Sequence, residues 1–510
     1  MHGQTVCMGF MMKKLEYKWI ALAVTTVGAL MVAIDSTIVI LALPNMITDL
    51  HSNLVRMTWV LMGYLLVSTV LLLTFGRMAD MFGRVRMYNL GFIVFTAGSV
   101  LCGVAQSDTM LIGSRLIQGT GGAMLAANAM AIITEIFPPE QRGQAMGFNA
   151  VTWGAGSVLG PVLGGIILAN ASWRWIFLVN LPIGILGTLA AYLLLHDIAP
   201  NPRGEKFDLL GAGLFSVGLV SLLLAITGGI GSSWLSAPIL TQTGVAVVAL
   251  GAFIVRERRI SYPMLDLRLF ESRRYAFSVA AASLQSLAVF AVNFLLIYYL
   301  QGVRSYSPLT TAFLVLPLSV MSSVVGPLSG RWADKIGGTI PATLGLAAQC
   351  GALLILTQLT PTTPYVVLAL ALALMGTGSG LFWSPNTSTT MGAAPRNRLG
   401  VASATLNTLR NVGMVFSFAV ALAVAAATMP ASLMNDVFLG TAGHLDPAIS
   451  RAFTGGMSHS FLASVVICLV AIVFSVVRET RKSKLASPTP AGSAETIAPD
   501  VSIASQTIKQ

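Results

Sequence analysis

Apolar stretches of nearly twenty residues recur along almost the whole of this 510-residue chain. Roughly 20 such residues make a helix long enough to cross the hydrocarbon core of a bilayer. In lipid every backbone N–H and C=O must be satisfied within the segment, so a chain of this kind is confined to helices. Composition rules out burying these runs inside a soluble core: 55% of the residues are hydrophobic and 10% are charged, against about a quarter charged in ordinary soluble domains. Read between charged or Pro-rich breaks, the runs fall at 19–43, 55–75, 87–105, 110–133, 145–169, 175–195, 208–227, 239–255, 277–300, 309–330, 339–358, 364–386, 400–427 and 459–477. This predicts an all-α polytopic membrane protein of 14 transmembrane helices, with both termini on one side because the number is even.

Loop charge predicts which side. The terminal segments and alternate loops carry nearly all the basic residues, from Lys13, Lys14 and Lys18 through Arg84, Arg142, Arg203, Arg256, Arg273, Arg331 and Arg396 to Arg478 and Lys484. The opposite loops hold Arg56, Arg174, Arg304 and Arg451. Cytoplasmic loops collect Lys and Arg, so both termini are expected in the cytoplasm. The same distribution accounts for the net charge of +11 without nucleic acid, since no basic face interleaved with aromatic residues is present. Cys102, Cys350 and Cys468 fall inside apolar runs without metal-ligand spacing and read as inert packing residues. The first run is too long for the core of a cleavable signal and is expected to remain as the first helix. Met11-Met12-Lys13-Lys14 resembles a natural start, so residues 1–10 are expected to add nothing. The Ser, Pro, Ala and Thr-rich tail from Leu485 is expected to be disordered.

An internal repeat organises the chain. Gly76-Arg77-Met78-Ala79-Asp80-Met81-Phe82-Gly83 returns as Gly330-Arg331-Trp332-Ala333-Asp334-Lys335-Ile336-Gly337, each just after the second helix of a six-helix block. The expected organisation is a cytoplasmic segment 1–18, a six-helix half 19–200, two inserted transmembrane helices in 201–260, a second six-helix half 261–480 and a cytoplasmic tail 481–510. Transporters built from repeated halves place their site between the halves.

Five segments, in order, give the chain a family likeness. Ala33-Ile34-Asp35-Ser36-Thr37-Ile38-Val39 through Pro44, the loop Gly76 through Arg86, Leu111 through Gly122 with Arg115, Gln118 and Gly119, the run Gly156-Ser157-Val158-Leu159-Gly160-Pro161-Val162-Leu163-Gly164-Gly165, and Trp173 through Gly184 together resemble the major facilitator superfamily. The likeness is to its fourteen-helix drug:proton antiporter branch and covers about residues 15–480. Ile40 departs from the Asn usual there. The resemblance implies two six-helix halves with two helices inserted between them. It also implies a proton-coupled antiporter exporting drugs, dyes or cationic biocides by alternating access, with no cofactor besides the proton gradient. Its partners would be a small hydrophobic substrate, protons and the lipid bilayer. It would work as a monomer in a prokaryotic inner membrane.

Within that frame Asp35 is the primary candidate, because a carboxylate inside a membrane helix is costly and marks an ion, proton or substrate path. Desolvation disfavours the charged carboxylate, and proton coupling needs a group that loads and releases a proton. Arg115 is its expected partner. Asp35 lies about eight residues before the outer end of the first run, roughly 12 Å deep, and Arg115 about six residues into the fourth, roughly 9 Å deep at 1.5 Å per residue. A helix-stapling ion pair remains the alternative. Gly76, Asp80, Gly83 and Arg84, with Arg331 and Asp334, are expected to gate the cytoplasmic side, the aspartates favoured by helix N-termini and the contacts breaking as the halves rock. Gly156, Gly160 and Gly164 lay a smooth strip on the fifth helix that admits another helix, and Pro161 is expected to kink it. That strip reads equally well as packing alone.

Tyr64, Gln118, Asn128, Asn149, Trp153, Asn293, Tyr298, Trp383, Asn386 and Asn407 are polar or aromatic positions within the runs and are the candidate lining of a substrate cleft. With Asp35 the one carboxylate deep in a run, a monocation or a neutral amphipath is expected rather than a dication. Proton-coupled transport of a specific metabolite on the same fold is the first alternative. A membrane enzyme is disfavoured because His51, His196 and His444 lie in loops and offer no catalytic or metal cluster. ATP-driven pumping lacks a phosphate-binding loop, and a receptor lacks a signalling domain.

Overall fold

The computed structural model describes residues 2–196, 208–229, 235–260, 263–395, 399–428 and 447–478, the side chains of 2–16, Asp80, Asn149 and some other helical positions excepted. The tail beyond Arg478 therefore lies outside the described residues. Among the described residues, fourteen helices are long and apolar enough to cross a membrane. In chain order they are helix 1 (His2–Asp49), helix 2 (Leu54–Phe82), helix 3 (Arg84–Gly103), helix 4 (Asp108–Ile136) and helix 5 (Pro139–Asn170). Helix 6 is made of Trp175–Leu178 and Asn180–Leu194, and helices 7 and 8 are Leu209–Gly228 and Ala237–Glu257. Helix 9 is Arg273–Tyr298, ending in a π-helical turn Tyr299–Val303. Helices 10 to 14 are Pro308–Ile336, Thr339–Leu356, Tyr365–Gly392, Leu399–Thr428 and Pro447–Val477.

Helices 1–6 pack among themselves, as do helices 9–14, and the two sets meet where helix 5 lies on helix 10 and helix 2 on helix 13. Helices 7 and 8 pack on each other, and helix 7 leans on helices 2 and 13. Large apolar side chains such as Leu186, Val247, Val248, Leu370 and Val473 point outward. A belt of that kind matches a bilayer, where apolar surface carries no penalty. Asp208 caps helix 7, its Oδ1 accepting from Gly211 N–H at 2.9 Å, and Arg256 from helix 8 grips both its oxygens. Burial pulls the Asp208 carboxyl upward, but the Arg256 bonds and the cap hydrogen bond outweigh it and leave the group below the usual carboxylate range.

Helix ends differ from the hydropathy reading at several places, helices 2, 10 and 12 running six or seven residues further and three others differing as follows. Helix 1 begins at His2 and runs through Pro44 to Asp49, because nothing in the leading segment stops a helix. Helix 5 starts at Pro139, where Pro suits the first turn. Helix 14 starts at Pro447, twelve residues before the apolar run, its first turns carrying the polar residues Ser450, Arg451 and Thr454 that hydropathy discounts. The repeat has a local physical cause. Gly83 and Gly337, the last residues of its two copies, end helices 2 and 10 with φ of 104° and 85°. Their N–H groups close back on Ala79 O at 2.9 Å and Ala333 O at 2.8 Å. A residue with a Cβ is strained in that left-handed conformation, so glycine is the helix stop.

Candidate functional site

Asp35 and Arg115 meet. Arg115 Nη1 donates to Asp35 Oδ2 at 2.7 Å, and the two side chains are 0% and 1% exposed. The other carboxylate oxygen, Oδ1, accepts from Gln118 Nε2 at 2.8 Å and Asn180 Nδ2 at 3.1 Å. Gln118 lies one turn beyond Arg115 on the same face of helix 4. It also takes Arg115 Nη1 on its own Oε1 at 2.5 Å and donates to Ser99 Oγ at 2.7 Å. Arg115 Nε donates to Val60 O at 3.0 Å, and its guanidinium lies 4.2 Å over the ring of Tyr64 and 5.7 Å from that of Phe177. Helices 1, 2, 3, 4 and 6 thus converge on one charge pair. Removing a single partner of such a pair strands a buried charge and costs about 3–5 kcal/mol.

The glycine strip of helix 5 packs against the turn of helix 1 that carries Asp35. A Cβ added at Gly156 would lie 2.5 Å from Ala33 Cβ, one at Gly160 would strike the Thr37 hydroxyl, and one at Gly164 would lie 2.9 Å from Ile38 Cγ1. The strip is therefore what lets helix 1 seat. Helix 5 continues through Pro161, which has no N–H to give the carbonyl of Ser157. That carbonyl instead accepts Ser319 Oγ of helix 10 at 3.1 Å, so the proline converts a backbone acceptor into a bond between the two helix sets.

Contacts between the sets also occur on both sides of this bond, Gly154 resting on Ser323 nearer the Lys18 side and others lying toward the opposite side. Gln301 Nε2 reaches Leu41 O at 3.3 Å, and Gly165 rests on Leu309 and Ala312. A small cavity lined by Ser36, Ile40, Leu61, Tyr64, Leu65 and Arg115 from one set and by Phe290 and Phe418 from the other lies beside the ion pair.

The remaining sequence candidates divide. Gln118 belongs to the charge cluster rather than to a cleft wall, and Tyr64 joins the cavity to Arg115. Asn128 is buried and donates to Met124 O of its own helix, and half-buried Asn407 does the same with Ser403 O. Tyr298 is buried with its ring 4.9 Å from that of Phe294. Asn293 is half-buried and Trp153 is 38% exposed. Asn386 is not a cleft residue: its Oδ1 accepts Arg478 Nη1 at 2.7 Å, its Nδ2 donates to Ser278 O, and Arg478 also binds Gly338 O and Thr339 Oγ1. That cluster ties the end of helix 14 to helices 9, 11 and 12.

The loop candidates also change character. Asp80 and Asp334 stand two residues before the C-terminal ends of helices 2 and 10, so the dipole of their own helix does not favour them. The side chain of Asp80 lies outside the described residues, as does that of Asn149. Arg84 pairs with Glu135 of helix 4 at 3.1 Å, within its own helix set. Arg331 and Asp334 are exposed at the end of helix 10.

Asn180, Ser99 and Arg410 are absent from the sequence-based candidates. Asn180 stands within the Trp173–Gly184 motif, which could have signalled it. Arg410 lies inside helix 13 with its guanidinium 5.4 Å over the ring of Trp383.

Comparison with known proteins agrees with the geometry. The family model described as Major Facilitator Superfamily matches residues 25–418. The chain is similar to the multidrug resistance protein Stp of Mycobacterium tuberculosis, at 32% identity over 88% of this chain and 81% of that protein. It is also similar to the riboflavin transporter RibZ of Clostridioides difficile, at 29% over 92% of this chain and all of that one. Among solved structures, a bacterial homologue of the lysosomal transporter Spinster, in an inward-facing unoccupied conformation, shares the fold with a TM-score of 0.62 and 17% identity, covering 91% of this chain and 97% of that one. With fourteen apolar helices among the described residues, twelve of them in two interlocked sets and a buried ion pair within the first, the chain belongs to the Major Facilitator Superfamily and is a multi-pass membrane protein of a bacterial transporter family.

Proposed function

We propose that the protein exports hydrophobic or amphipathic small molecules across the bacterial inner membrane in exchange for protons, with Asp35 as the proton site. The observation that carries this reading is the Asp35 carboxylate, fully buried in a span and held by Arg115, Gln118 and Asn180. An ionised carboxylate only accepts hydrogen bonds, whereas a protonated one must also donate. Proton loading therefore removes the charge that strengthens these three contacts, that of Arg115 most of all, and each comes from a helix other than helix 1. Helix 5, seated on the Asp35 turn through its glycines, also contacts helix 10, so movement between the sets acts directly on that turn. With the basic side taken as cytoplasmic, the described contacts correspond to a carrier closed to the outside. Proton and substrate then favour different arrangements of the same helices.

The name of one relative, a multidrug resistance protein, supports export of varied compounds. Transport of one specific metabolite is the second reading, favoured by a riboflavin transporter at nearly the same identity. The test is reconstitution of the wild type and Asp35→Asn in proteoliposomes under an imposed pH gradient, following a panel of fluorescent amphipaths together with a pH-sensitive dye. Opposed dye and proton fluxes in the wild type, abolished in the variant, are expected. Coupled flux that survives the substitution removes Asp35 as the proton site, and flux of a single compound in place of many selects the second reading.

A further inference from the structure

Arg410 stands nine residues into the span Val401–Val424, and Trp383 nine residues before the end of helix 12 at Gly392. At 1.5 Å per residue both are about 14 Å from the same side of the membrane. Helix 13 lies on the contact surface with helix 2 of the other set, and one turn beyond Arg410 the bare Gly413 lets it rest on Ser283 and Leu287 of helix 9. Arg410 is half-buried on this helix, which contacts helix 9 of its own set and helix 2 of the other. Its Nε is buried without a hydrogen-bond partner among the described residues, and its described interaction is the face of Trp383. The sequence provides no carboxylate for it: Asp35 is the one acid more than a turn from a span end, and both its oxygens are taken by Arg115, Gln118 and Asn180. A half-buried guanidinium whose Nε is shut from solvent without a partner is costly to hold in a membrane and suits a function that supplies the missing acceptor.

We propose that Arg410, held against Trp383, is the recognition subsite for an anionic group, a carboxylate or a similar oxyanion, on an amphipathic substrate. The inference rests on the reading of the chain as a transporter of amphipathic molecules and narrows the substrate class. A planar guanidinium matches a two-oxygen anion, and the cation–π contact with Trp383 at 5.4 Å helps hold it in place. The charge balance points the same way. Asp35 and Arg115 cancel, which leaves Arg410, deep in its span, without an ion pair among the described residues, so an anion is drawn in and a cation repelled. This differs from the monocation or neutral amphipath that Asp35 alone suggests.

Equilibrium binding to the purified protein in detergent tests this without a proton gradient, so its outcome is independent of whether export is proton-driven. Fluorescein and rhodamine 6G share a xanthene body and differ in charge, one anionic and one cationic. Fluorescence anisotropy is read for each dye with wild type, Arg410→Lys and Arg410→Gln. The expected result is tighter binding of fluorescein by the wild type, weakened about tenfold or more in Arg410→Gln, partly retained in Arg410→Lys, and rhodamine 6G binding unchanged or improved. Unimpaired rhodamine 6G binding also shows that the variant is folded. Failure of the wild type to bind fluorescein, preference for rhodamine 6G, or equal loss of both dyes in Arg410→Gln overturns the proposal.

Discussion

Arg115 and Arg410 carry the same charge well inside membrane spans, yet their surroundings are opposites. Arg115 has a carboxylate at 2.7 Å, a backbone carbonyl at 3.0 Å, an amide oxygen and two aromatic faces. Arg410 has one indole face and a buried Nε without a hydrogen bond among the described residues. The first is an ion pair whose partners are all supplied by the protein. The second has donors left over for something other than the protein. On the proposed reading the two helix sets divide the work, one holding the proton site and the other the anion subsite.

The largest expected effect breaks that comparison at its strong end. Arg115→Leu leaves the Asp35 carboxylate buried without its counter-charge and should destabilise the protein by about 3–5 kcal/mol. Arg410→Leu strands no carboxylate and loses chiefly a cation–π contact, so its stability should stay within about 1 kcal/mol of wild type. Thermal inactivation of the purified variants in detergent separates the two. If Arg115→Leu owes its loss to the stranded charge, Asp35→Asn in the same chain should recover much of it. Equal sensitivity of the two arginines would mean that Arg410 has a structural partner after all.

Next in size is the seat of helix 1. Gly160→Leu drives a side chain into Thr37 and the Ile34 carbonyl, one turn from Asp35, and overpacking of this kind costs about 1–3 kcal/mol. Coupled proton flux should fall, while fluorescein binding at Arg410 should be nearly unchanged. Loss of dye binding to the same degree as flux would show that the two regions are one site.

Much of this organisation is legible in the sequence, and what is not has identifiable causes. Fourteen spans follow from hydropathy because lipid demands long apolar helices, but the ends of helices 1 and 14 do not, since Asp49 and Ser450 continue a helix without being apolar. Asp35 and Arg115 are paired by depth arithmetic, although helix 1 extends beyond its apolar run to Asp49. Depth says nothing of rotation about the helix axis. Asn128 and Asn407 could therefore be read as cleft lining when each turns back to a carbonyl four residues earlier. Asn386 is claimed by Arg478, a residue just past the last apolar run. Arg410 is hidden by averaging, because one charge barely lowers the mean hydropathy of the run 400–427, while the rule that singles out Asp35 applies to it equally.

The smallest expected effect concerns the joint that links the two regions. Pro161 frees the Ser157 carbonyl, and Ser319 satisfies it from the other helix set. Ser319→Ala removes that hydrogen bond, worth about 0.5–1.5 kcal/mol net, and it exists only while helices 5 and 10 are together at this level. Its loss should shift the balance of states by about 2- to 10-fold toward the one in which they separate there. Ile40 lines the cavity between the sets and is 3% exposed in the closed arrangement. In a background without the native cysteines, Ile40→Cys should accordingly react with a membrane-impermeant maleimide from the side opposite Arg478 some 2- to 10-fold faster when Ser319→Ala is present. Binding at Arg410 and the Asp35 cluster contain neither serine, so dye affinity and thermal stability should change little. An unchanged labelling rate would mean that the proline's freed carbonyl is merely satisfied and takes no part in holding the two sets together.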